Sequence, residues 1–550
     1  LPRSLRGISV KSLSHSNSRS LGTGTLESTK RTLSAKATSY NKKITLANAL
    51  SLTRALSNSS TIDAAPLHLP EFKHQTTDAL NLKFEKLKEL SYFVVQRSPT
   101  RHFSQKQFDR AQELCDMYYK CDPETRFQYL IFLADDFATS LQFASSSAKS
   151  FLATQNRQEP FDASLLVDRL RNQIRPRYLE LFRHISRLDN GVKFLVDLRG
   201  DLITVLGNSQ LLSSQHPSAK VCLRLMSGEL SDLLSLWFSA GFLRLERVTW
   251  DSPTSILQKI SEYEAVHPVR NWIDLKNRVG LYRRCYMFSH SCLPGEPLVI
   301  LHVALVPDIS SSIQVHICVH NVYQTEDPNR IDAAVFYSIS STQKGLNGID
   351  LGHAMIQQVA GALRTDFEKM SQFSSLSPIP NFTEYLLTTI QSIQRKDESK
   401  NYQSLWQNNA SFSRLQTYVE GNNKYAAANE PSEGVFWQRM IQILRSGDWF
   451  RDETLVELLE QPLMRVCAHY LHNEKRRGYA LNSVANFHLK NGAVMWRLNW
   501  LADISSRGIS NSCGMMINYR YFLENTEDNS QTYLNEKHIV AGEQFLKWLQ

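Results

Sequence analysis

Several things are missing from this chain, and each gap excludes something. Among the 550 residues there is no run of about 18 apolar residues, the length a membrane-spanning helix needs. The longest apolar stretch, Pro297-Leu-Val-Ile-Leu-His-Val-Ala-Leu-Val306, is as long as a buried strand. Eight cysteines (Cys115, Cys121, Cys222, Cys285, Cys292, Cys318, Cys467 and Cys513) form no Cys-x-x-Cys pair, so zinc and dithiol motifs are not supported. A chain of this size needs no disulfide staple, and free thiols are expected. There is no Gly-x-Ser-x-Gly elbow, no Gly-x-Gly-x-x-Gly and no Walker sequence. A serine hydrolase of the elbow type, a dinucleotide enzyme and a nucleoside triphosphatase are therefore disfavoured. His316 and His320 would point the same way on a strand, but with no evident third ligand no metal site is expected.

The body of the chain also has no excess charge. The formal net charge is +9, yet residues 1–60 alone hold ten basic residues and one acid, Glu27. The remainder carries 52 of each sign and offers no basic groove for nucleic acid. Residues 1–65 are basic, rich in serine and nearly free of acids. That composition fits an organelle transit segment, mitochondrial first, with a disordered basic tail as the alternative.

The remainder of the chain looks globular. Hydrophobic content of 42% and charged content of 21% are ordinary, and the length calls for two domains or more. Over 70–238 the apolar residues recur at helical spacing: Leu80, Leu82, Phe84, Leu87, Leu90, Phe93; Leu130, Leu133, Phe137, Leu141; Leu165, Leu166, Leu170, Ile174, Leu179. This predicts a helical bundle, used as scaffold or for oligomer contacts. Beyond Ser239 strand-like runs appear at 297–306, 313–319, 333–340, 371–376, 494–500 and 514–521. Helical stretches fall between them, chiefly 351–370 and 435–475, which indicates an α/β or α+β domain over 239–550. The polar stretch 396–434 reads as a long surface insertion.

One segment could bind an anion. Ala333-Ala-Val-Phe-Tyr-Ser-Ile-Ser340 reads as a strand, and Gly345, Gly348 and Gly352 punctuate the turn after it. A helix with the stripe Leu351, Met355, Val359, Leu363 and Phe367 then starts near Asp350. Glycines before a helix N-terminus make a phosphate cradle, or an ordinary strand-to-helix turn. A second run, Phe373-Ser-Ser-Leu-Ser-Pro-Ile-Pro380, places Ser377 where prolines end a strand. His488, read at a loop-to-strand junction before Val494, is a candidate acid or base near neutral pH.

These segments resemble the malonyl-CoA decarboxylase family. The resemblance is carried by Gly241-Phe-Leu-Arg-Leu-Glu-Arg-Val-Thr-Trp250, Ala265-Val-His-Pro-Val269, Tyr282-Arg-Arg-Cys-Tyr286 and Gly295-Glu-Pro-Leu298. It continues through 373–380, Arg477-Gly-Tyr-Ala-Leu-Asn482, Asn486-Phe-His488, Asn491-Gly-Ala-Val494 and Asn518-Tyr-Arg-Tyr-Phe-Leu523. It implies an α+β chain: an N-terminal all-helical domain for homo-oligomerisation, with a tetramer in view, then a GNAT-like catalytic domain. It implies a catalytic pair at Ser377 and His488, a supporting Tyr521, and a CoA-contact segment at Asn347, Gly348, Ile349, Asp350, Leu351, Gly352 and His353. The family often has Glu where this chain has Asp350. Thr254 stands at one position where the family's intersubunit link expects a cysteine.

The implied activity is conversion of malonyl-CoA to acetyl-CoA and carbon dioxide, which sets the malonyl-CoA level in fatty acid metabolism. His488 is expected as proton donor, with Ser377 orienting or relaying at the carboxylate end. Oxyanion donors at the strand splay would each contribute roughly 3–4 kcal/mol. The thioester is its own electron sink, so no metal, biotin or pyridoxal cofactor is expected. The mitochondrial matrix is the expected compartment, with cytosol and peroxisome as alternatives. Two competing readings are a CoA-dependent acyltransferase on the same fold and a non-catalytic acyl-CoA-binding protein.

Overall fold

Short polar signals start the helices that open the folded region. The computed structural model describes residues 77–96, 103–154, 160–208, 219–314, 325–395, 402–407, 410–422 and 435–550. The leader at 1–65 lies outside these residues, as do His316, His320 and most of the run 313–319. Eight helices come first among the described residues: α1 Thr77–Val94, α2 Gln105–Tyr119, α3 Pro123–Asp136, α4 Leu141–Thr154, α5 Pro160–Gln173, α6 Arg177–Ile185, α7 Gly191–Gly207 and α8 Ala219–Trp237. Ser104 and Gln107 form a reciprocal capping box on α2. Asp122 caps α3, with Pro123 in the first turn, where its missing N–H costs nothing.

Helix α7 is the axis of this half. Its Phe194, Leu195, Leu198 and Leu202 are buried, and it packs on α3, α6 and α8. The stripe read at 165–179 is only partly internal: Leu165 and Ile174 are exposed and Leu179 is buried.

The second half is built on one mixed eight-stranded sheet. Its strands are β1 Arg244–Val248, β2 Arg283–Ser289, β3 Val299–Val306, β4 Ala333–Ser341, β5 Gln372–Ser375, β6 Ser377–Pro378, β9 Val494–Asn499 and β10 Met516–Tyr521. The small hairpin of β7 Lys475–Arg476 and β8 Tyr479–Ala480 stands apart. Strands β1 to β4 are antiparallel neighbours, β4 and β5 are parallel, and β10 pairs with β5, β6 and β9. The helices of this half are α9 Thr254–Tyr263, α10 Trp272–Arg278, α11 Leu351–Asp366, α12 Phe382–Gln394, α13 Gln403–Gln407, α14 Ala410–Gly421, α15 Val435–Ser446, α16 Glu453–His472, α17 Ser483–Lys490, α18 Ser506–Ser512, α19 Thr526–Glu536 and α20 Glu543–Leu546. α11 supplies the parallel crossover from β4 to β5, as parallel pairing requires.

Three expectations change. β1 and β2 are strands that the apolar runs did not mark. The stretch 435–475 holds two helices, α15 and α16, separated near Gly447. The polar stretch 396–434 is no mere surface insertion: α13 and α14 lie within it and bury Trp406, Leu415 and Val419. The fold class stands, with an N-terminal helical region followed by a mixed sheet covered by helices. Seven described cysteines, Cys115, Cys121, Cys222, Cys285, Cys292, Cys467 and Cys513, are unpaired within the chain. Among the described residues no helix is long and apolar enough to cross a membrane.

Candidate active site

The site begins with an interrupted strand. β5 and β6 lie against β10 in one continuous register, with Phe373 opposite Tyr521, Ser374 opposite Arg520, Ser377 opposite Ile517 and Pro378 opposite Met516. At the break, side chains replace the main-chain ladder. The Tyr519 N–H donates to Ser375 Oγ at 3.3 Å, and Asn518 Nδ2 donates to the Ser375 carbonyl at 2.9 Å. These bonds satisfy groups that a regular ladder would otherwise have paired. β4 departs at the same level. The Leu376 N–H donates to the Phe336 carbonyl at 3.3 Å, and β4 then continues to Ser341 paired with β3.

Ser377 stands at this parting. His488 comes to it from α17, as the sixth residue of an eight-residue helix rather than from a loop. The cap explains why a helix forms there: Asn482 Oδ1 accepts from the Ala485 N–H at 2.9 Å. The same Asn482 donates to the Pro380 carbonyl at 3.0 Å, tying the histidine helix to the chain just past the serine. Tyr470 adds a second bond to that carbonyl at 3.2 Å.

Ser377 Oγ lies 2.8 Å from His488 Nε2, and His488 Nδ1 lies 2.6 Å from the Tyr521 hydroxyl. Ser377 donates its own proton to Ser375 Oγ at 2.8 Å. Its lone pairs are then free for an Nε2–H, and Nδ1 accepts from the tyrosine. Tyr519 stacks on the imidazole at 4.4 Å with the rings 17° apart, and Phe487 meets it edge-on at 5.2 Å. This apolar wrapping removes water from the ring and pushes the His488 pKa down to about 3. Burial likewise raises the Tyr521 phenol above its ordinary value. Burial thus holds His488 in its neutral form at physiological pH, so any acid or base role it has starts from the neutral imidazole.

The glycine loop is close-packed at two points. A Cβ on Gly345 would meet the Val196 carbonyl oxygen of α7 at 1.8 Å, and one on Gly352 would meet the Phe487 ring at 2.8 Å. Helix α11 thus rests its first turn on the residue beside His488. Asn347, Gly348 and Asp350 are exposed, Ile349, Gly352 and His353 are half-buried, and Leu351 is buried. Asp350 is the N-cap of α11; its carboxylate accepts from the His353 N–H at 3.4 Å, a bond directed to the helix rather than to His488. The Leu351 side chain belongs to the core, and its N–H donates to the Ile349 carbonyl at 2.8 Å. No hydrogen bond among the described residues engages the N–H groups of Gly348 and Asp350. Such alternate free donors before a helix suit an anion.

Of the residues singled out in the sequence, Ser377, His488 and Tyr521 are brought into one chain of hydrogen bonds, and the loop touches them through Gly352 and Phe487. Sequence reasoning missed Ser375, Asn518 and Tyr519. Their common signal is position: all three lie at the break in the ladder, which no linear pattern marks.

A second buried cluster lies elsewhere on the sheet. Glu264 accepts from the N–H groups of Val266 and His267, each at 2.9 Å, and from Ser338 Oγ at 2.8 Å. His302 Nε2 sits 3.3 Å from Glu264 Oε2, both side chains fully buried. Burial pushes His302 down to about 4, so at neutral pH this contact is not an ion pair. Burial pushes Glu264 up, but the nearby His302 and the converging donors outweigh it and hold the carboxyl below its usual range. Among the described residues neither ring nitrogen of His302 has an aligned hydrogen-bond partner.

Fold and site together define a helical-plus-sheet protein with a serine–histidine pair at an interrupted strand beside a glycine loop. The chain belongs to the malonyl-CoA decarboxylase family. The profile "Malonyl-CoA decarboxylase C-terminal domain" matches residues 241–550, and "Malonyl-CoA decarboxylase N-terminal domain" matches 144–238. A protein from Anser anser anser named malonyl-CoA decarboxylase, mitochondrial, is 48% identical over 425 residues, 77% of this chain and 80% of its own length. One of the same name from Mus musculus is 50% identical over 395 residues, 71% of this chain and 75% of its own. The crystal structure of malonyl-CoA decarboxylase from Rhodopseudomonas palustris superposes with a TM-score of 0.67 at 28% identity, covering 84% of this chain and 99% of that one. The one from Agrobacterium vitis gives 0.66 at 26% identity with the same coverage.

Proposed function

We propose that this protein decarboxylates malonyl-CoA to acetyl-CoA and carbon dioxide, with Ser377 and His488 as the reacting pair. The observation that carries the reading is the bonded chain Tyr521–His488–Ser377–Ser375 at the parting of β4 from Leu376. Family membership supplies the substrate. The bond between the α-carbon and the carboxylate breaks, its electron pair moves into the thioester, and carbon dioxide leaves. Main-chain N–H groups at the parting would hold the enolate oxygen. The enolate carbon then takes one proton. A thioester enolate is basic enough to accept it from a neutral hydroxyl or imidazole, so a buried, neutral His488 is a competent source. Ser377 stands between that ring and the substrate carbon and relays the proton, and solvent restores it.

Asn347, Gly348, Ile349, Asp350, Leu351, Gly352 and His353 form the segment that receives the CoA pyrophosphate, largely through main-chain groups. The domain with this site is GNAT-like and runs from 239 to 550. The helical domain, 70–238, carries homo-oligomer contacts, a reading supported by exposed apolar residues such as Phe143, Leu152, Leu225 and Leu236. Mitochondrial location is supported by the relatives' names and by the basic leader, and the matrix is the compartment to which such a transit segment would lead.

The test is incubation with malonyl-CoA alone and then with an amine acceptor. Carbon dioxide and acetyl-CoA without acceptor are expected. Malonyl transfer that needs the acceptor would establish an acyltransferase, and binding without release would leave a binding protein.

A further inference from the structure

We infer that Arg199, in the helical half, is a positioning residue for the nucleotide end of the acyl-CoA. The inference rests on the reading of the glycine loop given above. Arg199 lies mid-way along α7 and is buried, with 6% of its surface exposed. Its Nη1 donates to the carbonyl of Gly345, inside the loop. Its Nη2 donates to Ser231 Oγ at 3.1 Å and its Nε to the Ser227 carbonyl at 3.3 Å, both on α8. All three acceptors are uncharged. A buried guanidinium whose hydrogen bonds all go to neutral acceptors is costly; the nearby Asp232 carboxylate favours its charge without outweighing the burial, and an anion on the adjoining loop would offset more of the cost.

The surrounding contacts fit the same role. The turn Lys344–Leu346 packs on α7, and Gly345 has no room for a side chain against Val196. Lys344 Nζ donates to Thr204 Oγ1, five residues further along α7, at 2.7 Å. The turn is fixed to the helical half at both of these points, three and four residues before the free N–H groups of Gly348 and Asp350 begin. Arg199 and Thr204 therefore set where those donors point, while neither is placed to touch the thioester.

The experiment compares malonyl-CoA with malonyl-pantetheine, which lacks the whole nucleotide with its pyrophosphate and 3′-phosphate, in the full-length wild type, Arg199→Met and Thr204→Val. For Arg199→Met, KM for malonyl-CoA is expected to rise about tenfold or more, the scale of a lost charged hydrogen bond, with kcat little changed. The kcat/KM for malonyl-pantetheine is expected to match the wild type. Thr204→Val, at an exposed site, should show the same selectivity at a few-fold, and it decides the matter alone should Arg199→Met fail to fold. Equal loss on both substrates, or no change on either, overturns the inference. Wild-type protein that releases no carbon dioxide from malonyl-CoA overturns the functional reading and the inference with it. Wild-type turnover with unselective variants overturns the inference alone.

Discussion

His488 and His302 both sit inside the sheet domain, at 4% and 0% exposure, and burial depresses the pKa of each. Their surroundings differ. His488 has a hydroxyl on each ring nitrogen, Tyr519 stacked on its face with Phe487 edge-on, and a serine at a place where two strands part. His302 lies opposite Ser338, beside a shift of the β3–β4 register between His302 and Val303 and beside a carboxylate, and among the described residues neither of its nitrogens has an aligned partner. Depressed pKa and burial are common to both and so identify neither as functional. What separates them is a satisfied neutral network of hydroxyls on both ring nitrogens, ending at a serine where β4 leaves the neighbouring strand.

The comparison breaks most severely if His488 proves dispensable. His488→Ala is expected to lower kcat by about 10²–10⁴-fold while acyl-CoA affinity, measured by calorimetry, stays close to wild type. Ser377→Ala should fall in the same range, and the double variant should be little worse than either, because the two act as one unit. Full turnover by either single variant would remove that residue from the chemistry.

A smaller effect concerns pH. A group held neutral down to about pH 3 contributes no inflection to kcat between about pH 5 and 8, where a free histidine titrates. A limb near the ordinary imidazole value that vanishes in His488→Gln would sink the neutral-histidine account.

The least effect on activity is expected at His302. Its folded pKa, about 4, lies below the unfolded value of about 6.5, so the unfolded chain binds the proton more readily in acid. Stability is then complete above the unfolded pKa and is lost as pH falls toward the folded one. His302→Leu should flatten that acid limb in urea midpoints measured across the range, with kcat at neutral pH unchanged. A large fall in kcat would make the two histidines functional equals.

How much of this was legible beforehand depends on whether local pattern or long-range pairing decides. Helices with a one-sided stripe, such as α11 with Leu351, Met355, Val359 and Leu363, were readable, and so were the apolar strands β3 and β4. β1 was not: Arg244-Leu-Glu-Arg-Val is an edge strand, mostly uncovered, so it carries charges that hide it. α13 and α14 were hidden by polar neighbours around Trp406, Leu415 and Val419. The helix that carries His488 is short enough to read as a loop, although its Asn482 cap is legible in the sequence. The serine–histidine pairing spans 111 residues and depends on α17 meeting a broken strand. Family resemblance supplied it where periodicity could not.

Gly352 has a bearing on how such a protein can be altered. With no side chain of its own, it lets the start of α11 lie directly on the Phe487 ring. Phe487 is covalently next to the histidine. The part of the molecule suited to a ligand's distant handle and the part suited to its reacting end are therefore geared together by one ring. A redesign that trades the nucleotide handle for another carrier cannot treat the loop as a detachable module. Substitutions there will need compensating ones at Phe487, and lineages that drift at one position are expected to drift at the other.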